Sequence, residues 1–400
     1  MTATYDLFSP AHFAEPYETF ALMRQNDPLY WHEPTGLWFA SRYTDVHAVL
    51  RDRRFSAARV DGFMPTGGDE KTQVVRRFFT DWMVFQDPPE HTRLRKLISH
   101  AFAPRNIAAL ESYIQHVVDE SLDRVKDQEQ IDIIRDLALP VPALVIAHML
   151  GVAADRVEDF KQWTSDLLLL QSMVGDQDEN LATVYAAVRN LDDYFHDLIA
   201  ERRVTPTDDL LSLLVQARED GSMLSEHELV ANCAQLLMAG HETTTNLIGN
   251  ATIALLRNPG ELARLRADPG LASAAVEEFM RYDGTAAGIA RQALEDVELS
   301  GGIVPAGGMV MGIALSANRD PAVFADPDRL DVGRGDSRHL GFAGGPHACI
   351  GAALARLQIR IAMTSLLARY PRIELASDEL SYINGWMVRG VTSLPVTVGE

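Results

Sequence analysis

Cys349 closes the run Phe342-Ala343-Gly344-Gly345-Pro346-His347-Ala348-Cys349-Ile350-Gly351, just ahead of an Ala-rich apolar stretch, Ala352 to Leu367, that reads as a helix. Glycines admit close backbone N–H groups, Pro346 stiffens the approach, and a helix start offers unpaired N–H groups and the positive end of its dipole. Each favours a thiolate. A cysteine that titrates near pH ~8.5 in water drops by several units in such surroundings or on a metal. The competing explanation is a small buried hydrophobe beside a turn, the usual place of a cysteine.

Three further groups carry chemistry. Ala239-Gly240-His241-Glu242-Thr243-Thr244 puts an acid and alcohols inside an otherwise apolar helical run, where a Gly and polar groups cost stability unless something uses them. One use is structural, Thr hydroxyls bonding back to the preceding turn of a kinked helix. His91 and Arg95 are four residues apart and share a helix face, as Glu278 and Arg281 do at a spacing of three. Taken singly, the first pair is an ordinary basic face and the second an ordinary surface ion pair.

Together and in this order, the pattern Phe342-x-x-Gly345-x-His347-x-Cys349-x-Gly351, the segment Ala239 to Thr244, the Glu278-x-x-Arg281 pair and His91 with Arg95 resemble the cytochrome P450 superfamily, the haem-thiolate monooxygenases. The resemblance covers essentially the whole chain. It implies a mainly α fold with small β sheets, a single domain over 1–400, and a haem b cofactor with Cys349 as the proximal iron ligand, whose electron donation favours O–O cleavage. It further implies that Phe342, His347, Gly351, Ala239 and Gly240 lie beside the haem, that His91, Arg95 and Arg291 meet its propionates, and that Glu242 and Thr243 deliver protons during oxygen activation. Glu278, Arg281 and Arg329 are expected to form a buried network that fixes the loop of Cys349. The family often has a glycine where this chain has Ala343, with little consequence expected. Met83, Phe85, Met173, Met238, Ala287, Ile289 and Trp386 are candidates for the substrate pocket, with Met64 and Phe79 nearby, although core packing explains any one of them equally well.

The elements that must position these residues are legible from pattern. Ser225-Glu226-His227-Glu228 is a capping box. It opens an apolar run that continues to Asn258-Pro259-Gly260, so a long buried helix carries Glu242 and Thr243 at its centre. Tyr30-Trp31-His32 and Leu37-Trp38-Phe39, joined by Glu33-Pro34-Thr35-Gly36, read as a hairpin after a helix at Pro16 to Asn26, and Thr44 is placed to cap a helix through Leu50. Residues 56–80 read as a long loop with room for one short helix, and residues 107–219 as mostly helical with breaks at Pro140 to Pro142, Gly151, Gly175 to Asn180 and Thr205-Pro206-Thr207, among which the resemblance implies a lid loop near Gln171 to Leu181. Val297 to Gly308 alternates β-type runs with Gly turns, Gly385-Trp386-Met387 reads as a turn tip reaching the pocket, and Leu394 to Val398 reads as a final strand.

Composition sets the outer limits. The 400 residues are 47% hydrophobic, and the two cysteines, Cys233 and Cys349, are too far apart in sequence to offer a disulfide framework or a zinc-finger spacing, which fits a reducing cytoplasm. No secretory signal or membrane span is evident, and a net charge of −20 opposes binding to nucleic acid. With no second cysteine cluster, electrons are expected from separate proteins, a ferredoxin and its reductase, docking on Arg93, Lys96, Arg338, Arg356 and Arg360. The expected protein is a cytoplasmic monomer that oxidises a hydrophobic small molecule in secondary metabolism. The alternatives are xenobiotic or terpenoid catabolism, a peroxide-driven variant, a non-catalytic haem protein, or a cysteine hydrolase using Cys349 with His347. Intact Glu242 and Thr243 argue against the last three.

Overall fold

The computed structural model describes residues 4–64, 68–171, 177–218, 221–336 and 338–399. Of the candidates above, Met173 lies outside the described residues, as do parts of the expected loops at 65–67 and 172–176. The chain is organised as two compact units, one of residues 1–55, 111–142 and 242–400, the other of residues 56–110 and 143–241.

The first unit holds the β structure. Strands β1 (Leu29–His32) and β2 (Leu37–Ala40) form the expected hairpin, Leu29 opposite Ala40, around a turn that ends on Gly36 at φ +64°. The short β3 (Phe55–Ser56) lies at the edge of the same sheet, whereas β4 (Gln130–Asp132), a strand not foreseen from the sequence, belongs to another. β5 (Ile289–Ala293), β6 (Val297–Leu299), β7 (Gly302–Val304) and β8 (Met309–Gly312) follow, with β9 (Arg372–Leu375) and β10 (Pro395–Gly399) last. The larger sheet runs β1-β2-β8-β5-β3, with β2 parallel to β8 and β5 antiparallel to it. β10 pairs with both β4 and β9. One face of the larger sheet closes on Phe13, Phe20, Leu315 and Trp386 and the other on Val46, Val49 and Leu50.

Helix boundaries follow local chemistry. The long helix spans Glu226–Arg257, 32 residues or roughly 48 Å at ~1.5 Å per residue. Its capping box is closed: Ser225 N–H donates to Glu228 Oε2 at 2.8 Å and Glu228 N–H to Ser225 Oγ at 3.3 Å. It stops before Asn258-Pro259, where the next helix (Pro259–Ala267) starts on proline. Residues up to His241 belong to the second unit and those from Glu242 onward to the first.

Several boundaries differ from expectation. The break expected at Pro140 to Pro142 falls at Leu139, between a π-helical turn, Ile134–Ala138, and the helix Pro140–Leu150, which can start on proline because a proline there loses no hydrogen bond. The helix read from Thr44 starts at Tyr43, after Arg42. The supposed loop before residue 80 holds an eleven-residue helix, Glu70–Thr80, capped by the Asp69 carboxylate, which accepts the Thr72 N–H at 3.0 Å.

Glu278, on the helix Ala272–Asp283, is 1% exposed and Arg281 is fully buried. Arg281 donates to both carboxylate oxygens, Nε at 2.7 Å and Nη2 at 2.8 Å, and its remaining donors reach the carbonyls of Asn318, Pro327 and Arg329. The network expected from the sequence is therefore present, but its third arginine is Arg334, not Arg329. Arg334 Nε lies 3.0 Å from Glu278 Oε2, and its Nη groups bind the carbonyls of Ala325, Asp326 and Arg329. Arg329 contributes only its carbonyl; its side chain is 59% exposed and pairs with Asp331. Removing one partner of a buried pair strands the other, at ~3–5 kcal/mol. Arg334→Ala is thus expected to lower stability by about 3 kcal/mol, while Arg329→Ala stays within about 0.5 kcal/mol of the parent. Denaturant titration of the two variants checks this, and the reverse order would return Arg329 to the network.

Candidate functional site

Cys349 sits in an irregular segment between a single turn of 3-10 helix, Gly345–His347, and the helix Ala352–Arg369. Its side chain is exposed, whereas Cys233 is fully buried and its thiol is pushed well above the usual range by desolvation. Backbone hydrogen bonds pin the loop. The Cys349 N–H donates to the Phe342 carbonyl at 2.9 Å, Ala343 N–H to Leu340 at 2.9 Å, and Leu340 N–H to Asn318 Oδ1 at 2.7 Å. Because the Asn318 carbonyl also accepts from Arg281, the loop is tied to the buried Glu278 network.

Gly345 is required where it stands. It has φ +64°, and a Cβ there would lie 2.8 Å from the Leu50 carbonyl oxygen, a backbone atom that cannot give way. Ala343 also adopts a left-handed conformation, φ +55°, where a non-glycine residue carries strain. The glycine often found there in the family is the unstrained choice, so the expectation of little consequence is corrected.

The long helix is buried from Leu229 to Leu237 and again from Thr244 to Leu255. Between these stretches Ala239 is exposed and Met238, Gly240, Glu242 and Thr243 are partly accessible, while His241 is buried with its Nδ1 2.8 Å from the Leu237 carbonyl. Within the apolar part of the helix, the accessible positions are thus gathered at Met238 to Gly240 and at Glu242 and Thr243. Gly240 has a packing reason of its own: a Cβ would meet Ile146 Cγ1 at 2.8 Å.

The expected carboxylate partners are placed separately. Arg291 is 2% exposed on β5, its Nη1 2.8 Å from the Ala290 carbonyl. On the helix Glu90–Ser99, His91 is 2% exposed and Arg95 half-buried on the same face. Phe342 and His347 are half-buried, and a Cβ on Gly351 would meet open space. In the first unit, the accessible Cys349 thiol at a helix start and the buried Arg291 are groups of the kind a haem b needs, since its iron takes a thiolate and its two carboxylates are costly to bury without cationic partners; His91 and Arg95 in the second unit are of the same cationic kind.

The pocket candidates divide. Ile289 and Met238 are partly accessible, whereas Met64, Phe79, Met83 and Phe85 are buried, and Phe85 packs among Phe63, Phe79 and Trp82 with Arg59 4.6 Å from its ring. Ala287 and Trp386 share one core cluster. Trp386 stands in the bend expected at Gly385 to Met387 and with Ala287 lines a small cavity, and it is packed there: five aromatic rings, including Phe39 at 5.0 Å, surround it, and its Nε1 donates to the Leu7 carbonyl at 3.2 Å. A tryptophan with a satisfied N–H and aromatic neighbours is core. Sequence reasoning also missed Glu277, which binds Arg356 and His339; its signal was the doubled acid Glu277-Glu278.

The family model described as Cytochrome P450 matches residues 25–269 and 270–392. The chain belongs to the cytochrome P450 family. It is 40% identical to a vitamin D(3) 25-hydroxylase of Pseudonocardia autotrophica, covering 100% of this chain and 97% of that protein. It is 36% identical to the polyketide biosynthesis cytochrome P450 PksS of Bacillus subtilis, over 96% of each. Among solved structures, P450BioI in complex with a hexadec-9Z-enoic acid-ligated acyl carrier protein superposes at TM-score 0.92 with 33% identity, covering 98% of this chain and 99% of that one. As a P450, the protein is a haem b monooxygenase that uses dioxygen and external electron donors. No helix among the described residues is long and apolar enough to cross a membrane.

The strain at Ala343 makes one substitution informative. Ala343→Gly is expected to raise stability by up to about 1 kcal/mol, since the left-handed region costs a non-glycine residue ~1–2 kcal/mol and glycine's greater unfolded-state freedom returns part of it. A thermal melt of the two proteins reads the sign; a lower Tm for the glycine variant contradicts it.

Proposed function

We propose that Cys349 is the thiolate ligand of the haem iron and that Thr243, with Glu242, passes protons to the site of oxygen activation. The observation that carries this reading is the accessible Cys349 thiol, at the start of a helix, in a loop pinned through Phe342 and Leu340. When bound, the haem supplies activation of dioxygen and transfer of one oxygen atom to a substrate. The protein's own part is to hold the sulfur as thiolate, to neutralise the propionates with Arg291, His91 and Arg95, and to move protons. The Thr243 hydroxyl both donates and accepts, so it can hand on a proton that the Glu242 carboxylate takes up from water. His347, Phe342 and Gly351 flank the ligand in this assignment, and Ala239 offers a small, accessible surface beside the cofactor.

The substrate we assign is a hydrophobic small molecule of secondary metabolism. Support comes from the names of similar proteins, which act on vitamin D3, serve polyketide biosynthesis, or bind a fatty-acyl carrier protein. Met238 and Ile289, partly accessible, are the pocket residues that packing does not already account for. Electrons are assigned to a ferredoxin and its reductase, and the protein to the cytoplasm as a monomer.

The reduced protein with carbon monoxide should give the strongly red-shifted Soret band of a thiolate-ligated haem, and Cys349→Ser should abolish it. A variant that keeps the band removes Cys349 from the iron. Thr243→Ala should retain haem and substrate binding while most of the consumed reducing equivalents leave as hydrogen peroxide rather than oxygenated product. Unchanged coupling, measured as product formed per reduced nucleotide consumed, removes Thr243 from proton delivery.

A further inference from the structure

Glu277 and Glu278 are neighbours on one helix and therefore point about 100° apart, at ~3.6 residues per turn. Glu278 is occupied by the buried arginine network. Glu277 faces the Cys349 loop, and three hydrogen bonds use its carboxylate: Arg356 Nε at 2.5 Å, Arg356 Nη2 at 3.0 Å and His339 Nε2 at 3.1 Å. His339 Nδ1 accepts the Gly341 N–H at 3.2 Å, which leaves the ring proton on Nε2 to be donated to Glu277. The His339 side chain is 1% exposed and that of Glu277 18%, while that of Arg356 is 43% exposed, so the carboxylate and the imidazole are sheltered and the guanidinium is held in place by a bidentate bond at the edge of solvent.

The pair reaches the thiol by two routes. The Arg356 guanidinium lies 4.4 Å from the centre of the Phe342 ring, with the His339 ring 5.8 Å from the same ring, and the Phe342 carbonyl accepts the Cys349 N–H. The other route is charge. Arg356 stands seven residues beyond Cys349, on the helix that the cysteine precedes, and its guanidinium is held charged first of all by the hydrogen bond to Glu277. Burial alone would raise the Glu277 carboxyl, but hydrogen bonds from His339 and Arg356 outweigh it and hold the carboxyl at about 2. Glu277 therefore stays ionised to lower pH than an ordinary carboxylate.

We propose that Glu277 is a positioning residue for the Cys349 thiolate, acting through Arg356: it balances the guanidinium charge felt at the sulfur and holds that guanidinium on the Phe342 ring. An uncompensated cation here would draw on the negative charge that the thiolate lends to the iron. With Glu277 in place the pair is neutral and the sulfur keeps its donating strength. This rests on the assignment of Cys349 as the haem ligand.

The test is a potentiometric titration of the haem-loaded enzyme in four forms: parent, Glu277→Gln, Arg356→Gln and the double variant. Haem content and the carbon monoxide spectrum are recorded for each. Glu277→Gln keeps shape but leaves the cation unbalanced, so the one-electron reduction equilibrium should move toward the ferrous form by about threefold, or about 28 mV at ~59 mV per tenfold. Arg356→Gln should move it the other way, and the double variant should return close to the parent. Opposite signs are the signature of charge balance, because loosened packing alone would shift both single variants in one direction. Shifts of the same sign, or none, overturn the proposal. If Glu277→Gln fails to hold haem, Arg356→Gln decides, and a potential that is unchanged or raised in that variant is equally fatal. A parent enzyme without the thiolate band would instead fail the ligand assignment, and this inference with it.

Discussion

The rest of the first unit depends on one buried ion pair, Glu278 with Arg281. Neither side chain reaches water, and charges removed from water are tolerated only when every donor and acceptor is matched. Here the matching groups come from elsewhere in the chain: the carbonyls of Asn318, Pro327 and Arg329, the Asp331 N–H at 2.9 Å and the Arg334 guanidinium. Satisfying the pair thus obliges an irregular stretch of chain, residues 318–334, to take one path. Asn318 transmits the obligation, because its carbonyl serves Arg281 while its side-chain oxygen holds Leu340 at the entrance to the Cys349 loop. A surface pair would impose nothing of the kind, since water would replace any missing partner.

The long helix solves a different problem. A helix in the middle of a protein normally buries every face, yet a haem enzyme needs room and protons beside it. In the function proposed above, Ala239 would give that room by having almost no side chain, and Glu242 and Thr243, at partly accessible positions, would serve proton delivery. Gly240, expected beside the haem, is also required by packing, because a Cβ there would lie 2.8 Å from Ile146 Cγ1. A residue can stand in a functional motif and still be chosen by packing.

How much was legible in the sequence follows from the range of the interactions concerned. The capping box of Ser225, the stop at Asn258-Pro259 and the hairpin around Gly36 are local, set by residues within a few positions, and the structure repeats them. The Glu278-Arg281 pair was legible for the same reason. Its third member was not: Arg329 and Arg334 lie in one irregular stretch with no period to separate them, and only the path of the chain decides that Arg334 turns inward while Arg329 pairs with Asp331 in solvent. The packing of Trp386 was not legible for a related reason, since five aromatic rings from the first forty residues surround it and nothing near residue 386 announces them. Glu277 was overlooked because its partners, His339 and Arg356, lie more than sixty residues away.

The arginines expected to meet a redox partner are already engaged by carboxylates, some local and some distant in the chain. Arg93 already binds Glu90 and Glu228, Arg338 binds Asp336, Arg356 binds Glu277 and Arg360 binds Glu111. In a chain with net charge −20, paired arginines project little positive field, so they steer an acidic partner weakly from a distance. Their value is at contact. An exposed pair such as Arg338 with Asp336 exchanges one carboxylate for another at small cost, because it was worth little to begin with. The bidentate, half-buried bond of Arg356 to Glu277 does not exchange so readily, and an arginine held there is better suited to setting the charge around Cys349 than to meeting a partner.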